Sequence, residues 1–215
     1  MEPLEKINSF TQQAYNLAAQ KYHDLFHNEI NKKEYDRKLL DSFAIRFNKD
    51  SLVCEAGCGP SGHIGRYLSD KGIKVVGVDI SEKCVEFARI YNPDMKFECS
   101  DISSMPFDDN SFNGLISFYS IINTPKIYVN RIFTEFRRVI KPDGYLLVAV
   151  KAGTNEGYID NLLEIKTKIY STLFTPEEIV AYFSGAGFLL EFFDKRKPYD
   201  FEISNERIFA IGKKV

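Results

Sequence analysis

Two periodicities divide this chain. The first 47 residues read as helical. In "INSFTQQAYNLAAQKYHDLF", Phe10, Ala14, Leu17, Ala18, Tyr22, Leu25 and Phe26 recur at helical spacing. A second helix is predicted from about Lys33 to Phe47, with Tyr35, Leu39, Leu40, Phe43 and Phe47 on one side. The chain then alternates. Short apolar runs at "SLVCEA", "IKVVGVDI", "MKFECSD", "FNGLISFYSI" and "YLLVAVKA" read as strands. "GHIGRYLSDKG", "SEKCVEFARIY" and "KIYVNRIFTEFRRVI" between them read as helices, the second capped by Ser81 and the last stopped by "KPDG". Strands alternating with helices predict a parallel sheet covered on both faces.

The C-terminal third breaks this rhythm. "TPEEIVAYFSGAGF" is a capped helix, followed by strand-like "FLLEFFDKR" and "ERIFAIGKK" with no helix between them. That requires an antiparallel hairpin at the sheet edge. Residues 152–173 have no place in the alternation and read as an insertion over the top of the sheet. The expected organisation is one domain over 1–215. It has a helical lid (1–47), a core (51–151), the insertion (152–173), and a terminal helix with hairpin (174–215).

Composition narrows the function. Net charge is −2, with 44% hydrophobic and 27% charged residues. That is a globular balance with no basic field for nucleic acid or anionic lipid. The mixed charges of Lys32–Arg37 read as a solvated helix face. The start has no secretory pattern, and no apolar run approaches a membrane span. Cys54, Cys58, Cys84 and Cys99 form no C-x-x-C pair, and Cys54 and Cys99 read as small buried hydrophobes. A reduced, cytoplasmic protein is expected.

In an open parallel sheet, ligands bind beyond the carboxyl ends of the strands. The first strand ends in "EAGCGPSG", where Gly57, Gly59 and Gly62 spell the dinucleotide fingerprint G-x-G-x-x-G. Glu55, in front of it, opposes that reading, because a pyrophosphate brings like charge toward the same turn. A ligand bearing an ammonium group favours the acid. Asp79 ends the second strand and suits ribose hydroxyls, or else caps the helix after it. Asp101 ends the third and suits the amine edge of adenine, with Ile102 and Met105 as apolar cover, or else caps "ISSM". No Tyr/Lys or Cys/His pair suits hydride chemistry.

Four stretches in this order, "LVCEAGCGPSG", "VVGVDIS", "CSDISSMPFDDNSFNGLISFYSI" and "FRRVIKPDGYLLVAV", resemble the motifs of class I S-adenosylmethionine-dependent methyltransferases, most closely the small-molecule type of the methyltransferase type 11 group. The resemblance covers most of the chain, from about Tyr15 onward. It implies a Rossmann-like α/β fold with a seven-stranded, mostly parallel sheet, an antiparallel last strand, and an N-terminal helical lid. It implies S-adenosylmethionine as cofactor, S-adenosylhomocysteine as product, and a small-molecule methyl acceptor. Nucleic acid, membrane and metal are not expected.

Carried over by motif, Gly57, Cys58 and Gly59 form the loop beside the methionyl part, and Glu55 orients its amino group. Asp79 matches the ribose acid, with Ile80 against adenine; Asp101 and Ile102 match the adenine edge. Ser117 supplies a backbone contact, and Phe118 and Tyr119 lie near the transferring methyl. Tyr15 and Tyr22, seven apart and so on one helix face, match a lid motif that touches the cofactor. Two positions depart from the pattern. Ser61 stands where a third glycine is usual, and Asn123 stands where many relatives carry His.

Methyl transfer needs alignment and a dry site more than acid–base groups, so no obligatory triad is expected. His23, Tyr119 and Asn123 are the candidates for contact with the acceptor, joined by Tyr158 and Tyr170 from the insertion. His23 and His27, at i and i+4 around Asp24, imitate a metal-binding helix but lack a third ligand. His63 reads as a helix cap or a neighbour of the methionyl tail. The competing readings are an RNA- or protein-modifying methyltransferase, a cofactor-binding protein without turnover, and a nicotinamide oxidoreductase.

Overall fold

The computed structural model describes residues 2–215. Helices α1 (Leu4–Phe26), α2 (Glu29–Lys32) and α3 (Glu34–Ala44) precede the alternating core. The core runs β1 (Leu52–Ala56), α4 (His63–Ser69), β2 (Lys74–Asp79), α5 (Glu82–Tyr91), β3 (Lys96–Cys99), β4 (Phe112–Phe118), α6 (Lys126–Val139) and β5 (Ile140–Lys151). Then come β6 (Glu156–Leu162), β7 (Ile165–Thr172), α7 (Pro176–Gly185), β8 (Phe188–Arg196) and β9 (Arg207–Lys214). Seven strands form one sheet in the order β3-β2-β1-β4-β5-β9-β8. β9 is antiparallel to both neighbours, so it is inserted between β5 and the edge strand β8. This is the expected sheet with its antiparallel last strand.

Strand alternation sends successive side chains to opposite faces. On β5, Leu146, Val148 and Val150 pack under α6 and α7 with Phe112, Phe133, Phe136 and Phe183. Leu147 and Ala149 face the other way, toward Leu40 and Phe43 of α3 and Leu68 of α4. Ser81 caps α5 by accepting from Cys84 N, and Thr175 with Glu178 makes a capping box on α7.

The 152–173 stretch has strands of its own that the sequence pattern does not signal, and three expectations are corrected. Residues 152–173 hold their own two-stranded antiparallel sheet, β6–β7, against which α1 packs. Its turn at Leu163–Glu164 uses positive φ at both residues, without the Asn-Gly or Asp-Gly signal such turns usually carry. Leu17 and Leu25 project to solvent, because the packed face of α1 runs through Leu4, Ile7, Thr11, Ala14 and Ala18 instead. Cys99 is exposed, although it shares a face with buried Phe97, because it lies at the carboxyl end of the edge strand β3. The Lys32–Arg37 stretch is no solvated face. Lys33 and Asp36 are buried, Lys33 against Glu29 (2.7 Å) and Glu202 (2.9 Å), Asp36 against Arg196 (2.9 Å).

Candidate functional site

The chain leaves β1 toward β2 and β3, then returns to β4 on the other side of β1. That reversal opens a crevice beyond the ends of β1 and β4, where such sheets bind ligands. The structure has a crevice at that place. The strand ends supply Gly57, Gly59, Asp79, Ile80, Asp101, Ile102, Phe118 and Tyr119.

Its floor is a close contact between the glycine turn and the end of β4. Gly57 has φ +82°, and a Cβ there would lie 2.2 Å from Cβ of Ser120. Tyr119 follows β4 at φ +58°, an uncommon conformation for a bulky residue. Gly62, at φ +53°, is the left-handed residue that opens α4. The conformation that needs glycine therefore sits at 62, and Ser61 is free to carry a side chain. Its hydroxyl lies 3.1 Å from His23 Nδ1, tying lid to loop.

The acids divide into two roles. Asp79 lies in the crevice; its Oδ2 accepts from Gly59 N at 2.8 Å and its Oδ1 from Ser81 N at 2.9 Å. Burial raises its pKa against the pull of those amides. Asp101 also lines the crevice, accepting from Ser103 N (2.7 Å), Ser103 Oγ (2.8 Å) and Asn8 Nδ2 (2.6 Å). Glu55 does not line it. Its Oε2 accepts from Gly65 N at 2.9 Å, so the carboxyl occupies the first amides of α4. Burial pushes its pKa up to about 8 against those hydrogen bonds, with Asp79 adding to the rise.

Helix α1 roofs the crevice. Leu4, Asn8, Thr11, Tyr15 and Tyr22 lie along one face and line it. A polar row at Asn8, Gln12 and Asn16 fastens this helix to the strand ends. Asn8 donates to Asp101, Gln12 to the Ile80 carbonyl (3.1 Å), and Ser81 Oγ donates to Asn16 (2.7 Å). The Tyr15 hydroxyl donates to Asn123 Oδ1 at 3.0 Å, and Asn123 Nδ2 donates to the Tyr170 carbonyl at 2.7 Å. Asn123 thus joins the lid to the β6–β7 hairpin. Burial raises the pKa of Tyr15, then Asp79, keeping the phenol protonated.

The crevice therefore unites Tyr15, Tyr22, Gly57, Gly59, Asp79, Ile80, Asp101, Ile102, Phe118, Tyr119 and Asn123. Glu55 and Cys58 border a smaller side pocket instead. Ser117 is buried behind the wall, its hydroxyl 2.6 Å from that of Ser120. His23 lies on the outer seam, stacked on Tyr91 at 3.6 Å, because its position on α1 turns it away from the crevice-lining face. It does not line the crevice. Met105 is core rather than ring cover, Tyr158 packs on Phe10, Tyr170 offers only its carbonyl, and Arg37 binds the carbonyls of Ile30 and Asn31. Leu4, Asn8, Thr11, Ser103, Ser120, Thr124 and Ile132 were not expected in the lining. The lid positions had a legible signal in their helical spacing with Tyr15. Ile132 had none, since it reads as an ordinary core position of α6.

Residues 54–148 match the model of a family described as Methyltransferase domain. The chain is 27% identical over 186 residues to 24-methylenesterol C-methyltransferase 3 of Arabidopsis thaliana, covering 79% of this chain and 51% of that protein. It spans about half the length of the curated relatives it matches first. Among solved structures, 1,6-didemethyltoxoflavin-N1-methyltransferase of Burkholderia thailandensis, with bound 1,6-didemethyltoxoflavin and S-adenosylhomocysteine, superposes with a TM-score of 0.74 at 13% identity, covering 100% of this chain and 92% of that one. Magnesium protoporphyrin IX methyltransferase of Synechocystis, with bound S-adenosylmethionine, gives 0.72 at 16% identity, covering 97% of each.

Proposed function

We propose that the chain, whose residues 54–148 match a methyltransferase-domain family model, is a class I S-adenosylmethionine-dependent methyltransferase that moves a methyl group from S-adenosylmethionine to a small, uncharged acceptor, leaving S-adenosylhomocysteine. The observation that carries this reading is the distribution of acids around the glycine turn. Asp79 and Asp101 line the crevice, each oxygen already oriented by a backbone amide or side-chain donor. Glu55 fills the amides at the start of α4. A dinucleotide would place its pyrophosphate at that helix start. Those amides are committed to the Glu55 carboxyl and are not free for a phosphate. The residues fit an adenosyl ligand without phosphate.

When bound, S-adenosylmethionine supplies an electrophilic methyl carbon on a sulfonium. The chain's own residues do the rest. Asp79 accepts ribose hydroxyls while Gly59 N and Ser81 N hold its oxygens. Asp101 takes the adenine amine, and Ile80 and Ile102 cover the ring. Tyr15, Tyr22, Phe118 and Tyr119 exclude water from the methyl-facing space, which suppresses hydrolysis and favours in-line approach. The wall beyond them is Leu4, Thr11, Asn123, Thr124 and Ile132, without a charged side chain. It suits an acceptor held by shape and a few hydrogen bonds. The raised pKa values of Tyr15 and Tyr119 make them donors rather than bases. The acceptor atom must then be nucleophilic without help in losing a proton.

Calorimetry with S-adenosylhomocysteine and with NAD tests the cofactor; tight NAD binding without S-adenosylhomocysteine binding overturns it. Transfer of labelled methyl to uncharged amines and thiols, against phosphorylated and carboxylated analogues, tests the acceptor class. Preference for the anionic analogues refutes it.

A further inference from the structure

The two acids of the crevice are held differently. Asp79 takes its donors, Gly59 N and Ser81 N, from the loops at the strand ends. Asp101 is likewise fixed by its own loop, with Ser103 N on Oδ1 at 2.7 Å and Ser103 Oγ on Oδ2 at 2.8 Å. A third donor reaches Asp101 from across the crevice. Asn8 Nδ2, on α1, lies 2.6 Å from Oδ2, and both residues line the crevice.

The third contact is not needed for orientation, because Ser103 already engages both carboxylate oxygens. It does fill one of them. A carboxylate oxygen has two lone pairs, and on Oδ2 the Ser103 hydroxyl and the Asn8 amide occupy both. The kind of donor matters too. An asparagine amide presents a planar NH2 group, as does the exocyclic amine of adenine. Asn8 therefore offers Asp101 the group that the base would offer. The rest of the polar row on α1 is different. Gln12 meets the Ile80 carbonyl, Asn16 meets Ser81 Oγ and Lys83 N, and neither Gln12 nor Asn16 lines the crevice.

We propose that Asn8 is a built-in competitor for the adenine site: in the unliganded protein its amide stands on Asp101 in place of the base amine, and the lid gives up that contact when the cofactor enters. The proposal rests on the cofactor reading given above. It gives the lid a physical reason to close over an unliganded crevice. An acid under a roof costs free energy when unpaired, and the amide keeps it paired. Entry of the cofactor then exchanges one NH2 donor for another. The lid moves at little net cost in hydrogen bonds, but the apparent affinity is lowered by the contact that must first be broken.

Calorimetry on the full-length chain, with two ligands that differ at one group, tests this. S-adenosylhomocysteine carries the amine. S-inosylhomocysteine has a carbonyl oxygen there, which cannot donate to Asp101. Asn8 can meet that oxygen with one N–H and keep Asp101 with the other, so this base does not displace it. Asn8→Ala should bind S-adenosylhomocysteine roughly fivefold tighter or more, because a hydrogen bond to a charged group no longer opposes entry. Its affinity for S-inosylhomocysteine should stay the same or fall. Gln12→Ala loosens the lid without freeing Asp101 and should move both affinities alike. Amide exchange in β1 and β4 should match the wild type in both variants, which shows that the core has folded. Weaker or unchanged binding of S-adenosylhomocysteine by Asn8→Ala overturns the proposal, because Asn8 is then a support for the acid. Equal gains for both ligands also overturn it, because they report a looser lid and not a freed acceptor. A wild-type protein that binds neither ligand overturns the cofactor reading beneath it instead.

Discussion

Replacing Glu55 with Gln should make the protein more stable above neutral pH and leave it nearly unchanged in acid. The side chain is buried, and its pKa rises from the ordinary 4.5 to about 8, first through burial and then through Asp79. A carboxyl whose folded-state pKa is raised favours folding fully below its unfolded value. That contribution is lost as pH rises through the folded value. The shift of about 3.5 units corresponds to about 5 kcal/mol at 1.36 kcal/mol per unit. About 3 kcal/mol of it is spent by pH 7, because the unfolded chain ionises first. Glutamine has the shape of the protonated acid and keeps an acceptor for Gly65 N, so it copies the favoured form at every pH. Urea melts of both proteins at about pH 5, 7 and 8.5 read the difference. The curves should coincide within about 1 kcal/mol at the lowest pH and separate by several kcal/mol, in favour of the variant, at the highest. A constant difference across the series, or a variant less stable at pH 8.5, refutes the reasoning.

Other substitutions probe the crevice separately. Asp79→Asn should weaken S-adenosylhomocysteine by about 1.5–3 kcal/mol, the cost of losing charge-assisted hydrogen bonds, read by calorimetry; unchanged affinity would place the ribose elsewhere. Asn123→Ala removes the bridge from Tyr15 to the Tyr170 carbonyl, so amide exchange in residues 4–26 should accelerate while the exchange of β1 and β4 stays constant. Gly57→Ala brings its Cβ to 2.2 Å from Ser120 Cβ at φ +82° and should cost about 1–3 kcal/mol in chemical denaturation, with Ser120→Gly restoring part of the loss.

The sheet was legible because its signals are local. Each strand is a short apolar run, each helix a periodic one, and β8 and β9 follow each other with no crossover helix, which forces an antiparallel pair. The crevice acids were legible for the same reason. Asp79 and Asp101 stand where strands end, and topology alone brings strand ends together. Buried polar chemistry follows no such local rule. Lys33 and Asp36 look solvated in sequence, and their partners Glu202 and Arg196 lie more than 150 positions away. The polar row Asn8, Gln12 and Asn16 resembles any hydrophilic helix face until the strand ends it meets are known.

Glu55 shows how a residue type can exclude a ligand without touching one. In sequence, an acid before the glycine turn argues against pyrophosphate on charge. The structure places that carboxyl on the amides of Ile64 and Gly65 at the start of α4, the groups with which a dinucleotide fold holds its phosphates. Burial raises the pKa of that carboxyl to about 8, so near neutral pH the exclusion works through occupied donors rather than through like charge. The same placement removes Glu55 from the first rank of groups facing an ammonium. Among the described residues, the buried side-chain polar atoms without a partner are His63 Nδ1 and the Tyr119 hydroxyl, both of residues bordering the adjoining pocket. The glycine at 57 lets the turn after β1 approach Ser120 after β4, where a Cβ would lie 2.2 Å from that of Ser120.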